Sequence, residues 1–503
     1  MSGCDIVLAT QNATWSHPAF GLRCLRAHLG RWRERTAILE LDPRAAPEEA
    51  ACTILERSPR IVGLGVYIWN VERLTAVAAA LKRRRPDIVL VLGGPEISYE
   101  WESQPIASFA DYIVRREGEL AFAELCDRLL RADPPQHRVL DGGRPDLARL
   151  VLPYEEYDDT DVTRRFVYVE TTRGCPFGCA FCLSALDRCV REWPLDGVLD
   201  ALDRLLRRGA RRIKFVDRTF NLDPQRAIRV MQFFLERLVP GLTVHFEFHP
   251  AQLPSALREI IRRFPPGTLR LEVGVQTFDE TVNARIGRRQ PAKIVEENLR
   301  VLCQETAAHV HADLIAGLPG EGWAALAENF DRLFALGPAE IQIGILKRLR
   351  GSPLAEQAAR WGLRFDPRPP YAIRETPDFP PEALARAARV AAWWERLGNR
   401  RPFPMTLAQY LRDQPSPFEA FVRLSDALFE RFGATHGVAL DPLAVALFDF
   451  LSAQGFSPVP AAQSILRDYS QNGRRRHPPR ALRRFADAPK EAATRVPARR
   501  GAG

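Results

Sequence analysis

Long apolar runs are missing from this 503-residue chain. No stretch of about 18 uninterrupted apolar residues occurs, so a membrane helix is not expected. Met1–Thr10 has neither a basic n-region nor a long apolar h-region, so no secretory signal is expected either. Cysteine is scarce. Nine residues, an odd number, are too few for a disulfide framework. A reducing cytoplasm is the expected setting. Charge of one sign is also scarce outside one segment. The net charge is +9, but residues 471–503 hold +8 of it through ten Lys/Arg and two acids, leaving +1 for the rest. A body this close to neutral implies no broad polyanion-binding face, and nucleic acid is not an expected partner. What the chain does have is an ordinary 46% hydrophobic content, enough to bury a sizeable core, and a length suggesting about three domains.

The first 135 residues alternate β-rich runs with helical patterns. The runs are Asp5–Ala9, Thr36–Leu41, Ile61–Val66, Asp87–Leu92 and Asp111–Val114. This rhythm predicts an α/β fold beginning with a Rossmann-like parallel sheet, whose ligands bind at the carboxyl ends of the strands. No G-x-G-x-x-G follows the first run, which argues against a nicotinamide site. Residues 136–163 are rich in Pro, Gly and acids and read as a linker. A second series of six runs follows over 164–350, from Phe166–Thr171 to Glu340–Ile345, with helical stretches between. Six repeats are too few for an eight-stranded barrel, so a (β/α)6 partial TIM barrel is expected. Residues 351–470 read as a small α-helical C-terminal region, and 471–503 as a disordered basic tail.

Six cysteines are scattered: Cys4, Cys24, Cys52, Cys126, Cys189 and Cys303. Most sit in apolar patterns, as small buried hydrophobes do. The other three form a C-x3-C-x2-C cluster, Cys175, Cys179 and Cys182, in the loop after the first run of the second series. Three thiolates in one loop suit an iron–sulfur cluster, which is normally held by four; a cluster with three leaves one iron open. The alternatives are a zinc site, which wants a fourth ligand such as Cys189, and inert cysteines.

The stretch Cys175-Pro176-Phe177-Gly178-Cys179-Ala180-Phe181-Cys182 resembles the signature of radical S-adenosylmethionine (SAM) enzymes. The resemblance implies a [4Fe-4S] cluster on the three cysteines, with SAM chelating the open iron through its amino and carboxylate groups. It implies reductive SAM cleavage to a 5′-deoxyadenosyl radical, and a reductant such as flavodoxin or ferredoxin. Phe181 matches the aromatic position beside the adenine. Asp217 and Asn221, Glu272 and Gln276, and Asp313, Gly317 and Pro319 fall in stretches that resemble the family's SAM-contacting segments. The family's Gly-Gly-Glu motif after the second strand is not present.

A Rossmann-like domain ahead of such a core resembles the cobalamin-binding group of that family. Gly93-Gly94-Pro95-Glu96 and Glu117-Gly118-Glu119 are characteristic of that group. Thr10, Asn12, Tyr67, Trp69 and Asn70, also just after strand-like runs, complete the set of implied cobalamin contacts. The D-x-H-x-x-G pattern is absent, and His17 and His28 do not fit it, so cobalamin is expected base-off without a His ligand. The resemblance covers roughly residues 1–350. It implies methylation of an unactivated centre in a small-molecule or peptide substrate. Competing readings are ring closure or rearrangement without methyl transfer, an RNA-modifying radical enzyme, and a non-catalytic cobalamin or redox sensor. The sensor reading is opposed by the vacant iron, which a sensor does not need.

Overall fold

The computed structural model describes residues 4–471 and 477–486. The first sheet holds six parallel strands, Ile6–Thr10, Thr36–Glu40, Ile61–Gly65, Val89–Gly93, Tyr112–Arg115 and Val139–Asp141, in spatial order 2-1-3-4-5-6. Ile6–Ala9 are wholly shielded from solvent because helices cover both faces. Leu74 and Leu81 of the helix Val71–Arg84 join Ile54 on one side; Leu22, Phe122 and Leu125 pack on the other. The strand order reverses between the first and third strands, and the carboxyl ends there form the natural ligand crevice of such a sheet.

The second sheet runs Val167–Val169, Arg212–Phe215, Thr243–Phe248, Leu269–Gln276, His309–Ala316 and Glu340–Ile345, all parallel and in sequential order. This is the partial barrel. In Thr243–Phe248 the period-two pattern is directly visible. Val244, Phe246 and Phe248 are buried, while Thr243, His245 and Glu247 alternate with them. The register aligns Lys214, His245, Arg270 and His309 across neighbouring strands. It likewise aligns Glu247, Glu272, His311 and Glu340. The face opposite the helices is therefore charged, unlike the apolar filling of a closed barrel.

The C-terminal helices share one core with the barrel. Trp394 meets Phe330 edge-on at 4.8 Å and Phe421 at 4.9 Å, and Trp323 packs on Phe418 at 5.3 Å. Such aromatic pairs add about 1 kcal/mol each beyond burial.

Three expectations need correction. The stretch read as a linker supplies the sixth strand of the first sheet. It also buries Tyr154 and Tyr157, whose hydroxyls donate to the carbonyls of Glu170 and Tyr168 at 3.2 and 2.9 Å. The C-terminal region holds a short strand pair, Arg364–Phe365 with Ile373–Glu375. Within the stretch read as a disordered tail, Arg480–Phe485 form a 3-10 helix with Leu482 buried in the common core. Residues 472–476 and 487–503 of that stretch lie outside the described residues. Among the described residues no helix is long and apolar enough to cross a membrane.

The segment after the last barrel strand ties back to the first sheet. Arg350 pairs with Glu96 at 3.0 Å with both side chains nearly buried, and Tyr371 donates to the same carboxylate at 2.8 Å. Arg348 pairs with Glu100 at 2.9 Å in a more open setting. Removing one member of a buried pair strands the other. Arg350→Met is therefore expected to lower stability against urea by about 3 kcal/mol. Arg348→Met should cost about 1 kcal/mol or less, and tryptophan fluorescence during unfolding compares the two.

Candidate functional site

The cysteine loop starts where the first barrel strand ends. Asp217, fully buried after the second strand, accepts from Thr171 N at 3.0 Å, Thr171 Oγ1 at 2.5 Å and Thr172 Oγ1 at 2.8 Å. Burial raises its pKa, and these hydrogen bonds oppose the rise. Asp217 thus fixes the direction in which the chain enters the loop. Gly174 has φ +91°, and a Cβ there would lie 2.2 Å from the carbonyl oxygen of Cys189, so the turn requires glycine. Backbone bonds from Cys175 N to Asp187 O (2.9 Å) and from Ala180 N to Ile286 O (2.8 Å) close the loop.

Cys175 and Cys179 are buried, Cys182 is half-buried, and all three thiols are free. Cys189 is exposed. Among the described residues no three His, Cys, Asp or Glu side chains converge as a cage for a single metal ion. Arg288 donates to Cys179 Sγ at 3.4 Å, to Gln290 Oε1 at 2.8 Å and to the carbonyl of Gly274. It is buried, with no carboxylate partner among the described residues. A buried guanidinium is costly without an anion beside it, and the neighbouring Cys179 thiol keeps a raised pKa. Burial raises the Cys179 thiol pKa while Arg288 pulls it back. Phe177, inside the loop, stacks on His249 at 4.2 Å. Burial pushes His249 down to about 3, so its ring is neutral. Its Nδ1 accepts from Ala251 N, which puts the proton on Nε2, a buried atom without a hydrogen-bond partner among the described residues. Arg288 and His249 carried no motif in the sequence; only the fold brings the one to the Cys179 sulfur and the other to Phe177 in the same loop.

The residues implied for SAM divide into two groups. Gln276 keeps the character of a ligand contact. It sits at a bulge ending the fourth barrel strand, with φ +68° and a buried Oε1 that lacks a partner. A strained residue with an orphan acceptor at a strand's carboxyl end is open to a hydrogen bond from outside the chain. Phe181, in the loop, is half-buried against the core. The others serve the chain's own structure. Asn221 donates to the carbonyls of His249 and Gln252 at 3.0 and 2.5 Å, and accepts from His249 N at 2.8 Å. Gly317 faces the C-terminal region, where a Cβ would meet Ile373 at 2.7 Å, and the carbonyl of Pro319 accepts from Arg285. Glu272 and Asp313 belong to the charged barrel face. Glu272 bridges Lys214 and His245 at 3.2 and 3.1 Å. Burial alone would raise its pKa, but these partners hold it at about 2. His311 lies 3.1 Å from both Asp313 and Glu340 and rises to about 10 despite burial. Glu247, beside Glu272 in register, is pushed up to about 7 by burial, with Arg218 only 3.9 Å away in partial opposition.

A cavity of about 770 Å³ opens at the carboxyl ends of the first sheet and reaches the cysteine loop. Asn12, Tyr67, Trp69, Gly93 and Gly118 line it. Tyr67 and Trp69 stack at 4.5 Å, with Trp69 half exposed, and Asn12 presents a buried amide nitrogen without a hydrogen-bond partner. Gly94, Pro95 and Glu117 also border the cavity. Gly94 owes its identity to its own turn, since a Cβ would lie 2.5 Å from the carbonyl of Val66. Three implied contacts lie elsewhere. Thr10 and Asn70 bond to each other at 3.1 Å and to the carbonyl of Gly65, locking the switch-point loops. Glu96 is taken up by Arg350 and Tyr371. His17 lines the cavity, but its Nδ1 is engaged with the Tyr168 hydroxyl.

An ion cluster joins cavity and loop. Arg173, two residues before Cys175, pairs with Glu117 and Glu119 of the first domain at 2.8 Å each and with Glu170 at 2.7 Å. Arg191 adds a second guanidinium to Glu117 and pairs with Asp187 at 2.9 Å. Burial disfavours the Glu117 charge, yet the two arginines hold its pKa below the ordinary value.

A parallel sheet with a cavity at its switch point, joined to a partial barrel bearing three free thiols at its rim, defines a two-domain cofactor protein with a shared site. Residues 169–333 match the model of the radical SAM superfamily, and residues 6–126 match the B12 binding domain. The chain thus carries a radical SAM domain with a B12 binding domain ahead of it. It is 27% identical over 376 residues to the cobalamin-dependent radical SAM methyltransferase TokK of Streptomyces tokunonensis, covering 66% of this chain and 54% of that one. The chain thus spans about half the length of the curated relatives it matches. In fold it is similar to TsrM of Kitasatospora setae, a radical SAM methyltransferase solved with cobalamin and a [4Fe-4S] cluster. That match has a TM-score of 0.57 and 18% identity, over 76% of this chain and 81% of that one. It is also similar to OxsB, a cobalamin-dependent SAM radical enzyme, with a TM-score of 0.60 and 14% identity, over 93% and 80%.

These domains imply a [4Fe-4S] cluster, SAM and cobalamin, and the residues present fit them. Three free thiols with a guanidinium as counter-charge suit a cluster. The orphan Gln276 Oε1 and Asn12 Nδ2 offer an acceptor and a donor to polar ligands at the barrel rim and in the cavity. Cys175→Ala, Cys179→Ala and Cys182→Ala are each expected to lose the iron and the visible absorbance of anaerobically reconstituted protein. Cys189→Ala should keep both, and iron analysis with absorption spectra checks this.

Proposed function

We propose that the chain is a cobalamin-dependent radical SAM enzyme that methylates an unactivated centre of a small molecule. The observation that carries this reading is the common site: the 770 Å³ cavity of the first domain is walled in part by Arg173 and Gly174, the residues that open the cysteine loop. A radical centre formed at the loop and a methyl carrier in the cavity then face one enclosed volume, as a transfer between two cofactors requires.

When bound, the cluster and SAM supply a 5′-deoxyadenosyl radical and cobalamin supplies the methyl group. The chain's own residues do the positioning. Cys175, Cys179 and Cys182 hold the cluster and leave one iron for SAM. Gln276, with its buried and unpartnered Oε1, would offer SAM an acceptor at the barrel rim. Phe181 flanks the adenine, and Tyr67 and Trp69 form an aromatic floor in the cavity. Arg173 and Arg191 tie the first domain to the start of the cysteine loop. Reduction of the cluster calls for an external one-electron donor, and the charged barrel face offers hydrogen bonds to a polar substrate.

The test is anaerobic reconstitution with iron, sulfide, cobalamin and SAM under a strong reductant. Both 5′-deoxyadenosine and S-adenosylhomocysteine are expected. Deoxyadenosine alone would replace methylation with another radical reaction, and neither product would overturn the reading.

A further inference from the structure

The two rims of the cysteine loop differ in how their charge is handled. On the side facing the first domain, Arg144, Arg173 and Arg191 are all paired, with Asp187, Glu117, Glu119 and Glu170. The outer side carries Arg188, Arg285, Arg289 and Arg360, all exposed. None of these four makes an ion pair among the described residues. Arg188 touches the loop directly, and the backbone between Arg285 and Arg289 abuts it. The Arg188 guanidinium lies over Gly178, where a Cβ would be 3.4 Å from its Cζ, and it donates to the carbonyl of Pro176. Gly287 abuts the carbonyl of Gly178, at 2.7 Å from a built Cβ, which brings Arg285 and Arg289 to the same edge. Arg285 and Arg360 both stack on Trp361, with their Cζ atoms 5.9 and 5.2 Å from the ring centroid. The aromatic thus gathers two guanidinia around one ring. The next residue inward from Arg289 is Arg288, which reaches the Cys179 sulfur.

From this arrangement we infer that the outer rim is the docking surface for an acidic electron-donor protein. The inference rests on the proposed function, because only a cluster in the loop needs electrons from outside. The match is one of charge and place. An uncompensated positive patch steers a negative partner and sets its orientation. Trp361 between two arginines has the composition that dominates binding energy at interfaces. The patch borders the partly exposed segment Pro176–Gly178, through Arg188 and through Gly287 beside Arg285 and Arg289. Docking there shortens the path between the donor's cofactor and the loop. One electron leaves the donor, which is oxidised, and enters the cluster, which is reduced; no bond forms or breaks and no proton moves. The near-zero charge of the chain outside residues 471–503 conceals this patch, since it appears only when loop, helix end and C-terminal segment come together.

The test uses the anaerobically reconstituted chain and a flavodoxin as the acidic probe. Binding is expected to weaken as salt rises. Arg188→Glu combined with Arg289→Glu should weaken it about tenfold or more at low salt, with Arg188→Gln and Arg289→Gln intermediate. Arg412→Glu, exposed on the C-terminal helices, should leave it unchanged. The glutamate pair should also slow bleaching of the cluster by reduced flavodoxin, but not by photoreduced deazariboflavin, which needs no docking surface. Unchanged binding in the glutamate pair would overturn the proposal, as would equal slowing with both reductants. Binding of a polyuridine RNA in place of the flavodoxin would also overturn it, and would assign the surface to nucleic acid. Binding is read on the chain whatever its products, so failure of the proposed reaction, seen as missing deoxyadenosine, remains a separate result.

Discussion

The bond between Arg173 and the carboxylates of Glu117, Glu119 and Glu170 is the interaction on which the rest of the site depends. It crosses from the loop after the fifth strand of the first sheet to the residues just ahead of Cys175. A planar guanidinium with several donors can serve three acids at once, which a lysine ammonium cannot do with the same geometry. The pairs are mostly shielded from water, so each charge depends on the others staying in place. One cluster of charges therefore fixes the cavity rim, the domain junction and the start of the thiol loop together. Its partner at the far end is the Arg350–Glu96 pair. Held at both ends, the first domain keeps its crevice turned toward the barrel rim.

The barrel contributes a different kind of order. Its helix-facing positions are apolar, and its opposite face carries interleaved acids and bases. Within that face the charges largely answer each other: Lys214 and His245 on Glu272, and His311 between Asp313 and Glu340. Glu247 stands apart, with burial raising it to about 7 and Arg218 as its nearest cation. A face of this composition favours polar contents over an aliphatic filling, because its buried hydrogen-bonding groups cannot be left dry without cost.

Much of this architecture was legible in the sequence, because strands with a period of two and helices opened by proline leave strong local signals. Thr243–Phe248 and Glu340–Ile345 are strands over the same residues in sequence and structure. The cysteine loop was legible from spacing alone. Polar residues at strand ends were harder. Asp217, Asn221, Thr10, Asn70 and Glu96 all sit where ligand contacts are expected, yet their hydrogen bonds go to the chain itself. A sequence gives the position of such a residue but not whether its partner is a ligand or a distant loop. The stretch read as a linker misled for a related reason: its Pro, Gly and acids outweigh two tyrosines that turn out to be fully buried. Arg288 and His249 were invisible because they reach the cysteine loop only through tertiary structure.

On this reading the loop holds a cluster on three thiolates and leaves one iron for SAM. Electron paramagnetic resonance of the reduced, anaerobically reconstituted chain, recorded before and after adding SAM, tests it most directly. A changed cluster spectrum, with hyperfine coupling to label in the amino nitrogen or carboxylate of SAM, is the result the account predicts. An identical spectrum with no coupling would contradict it.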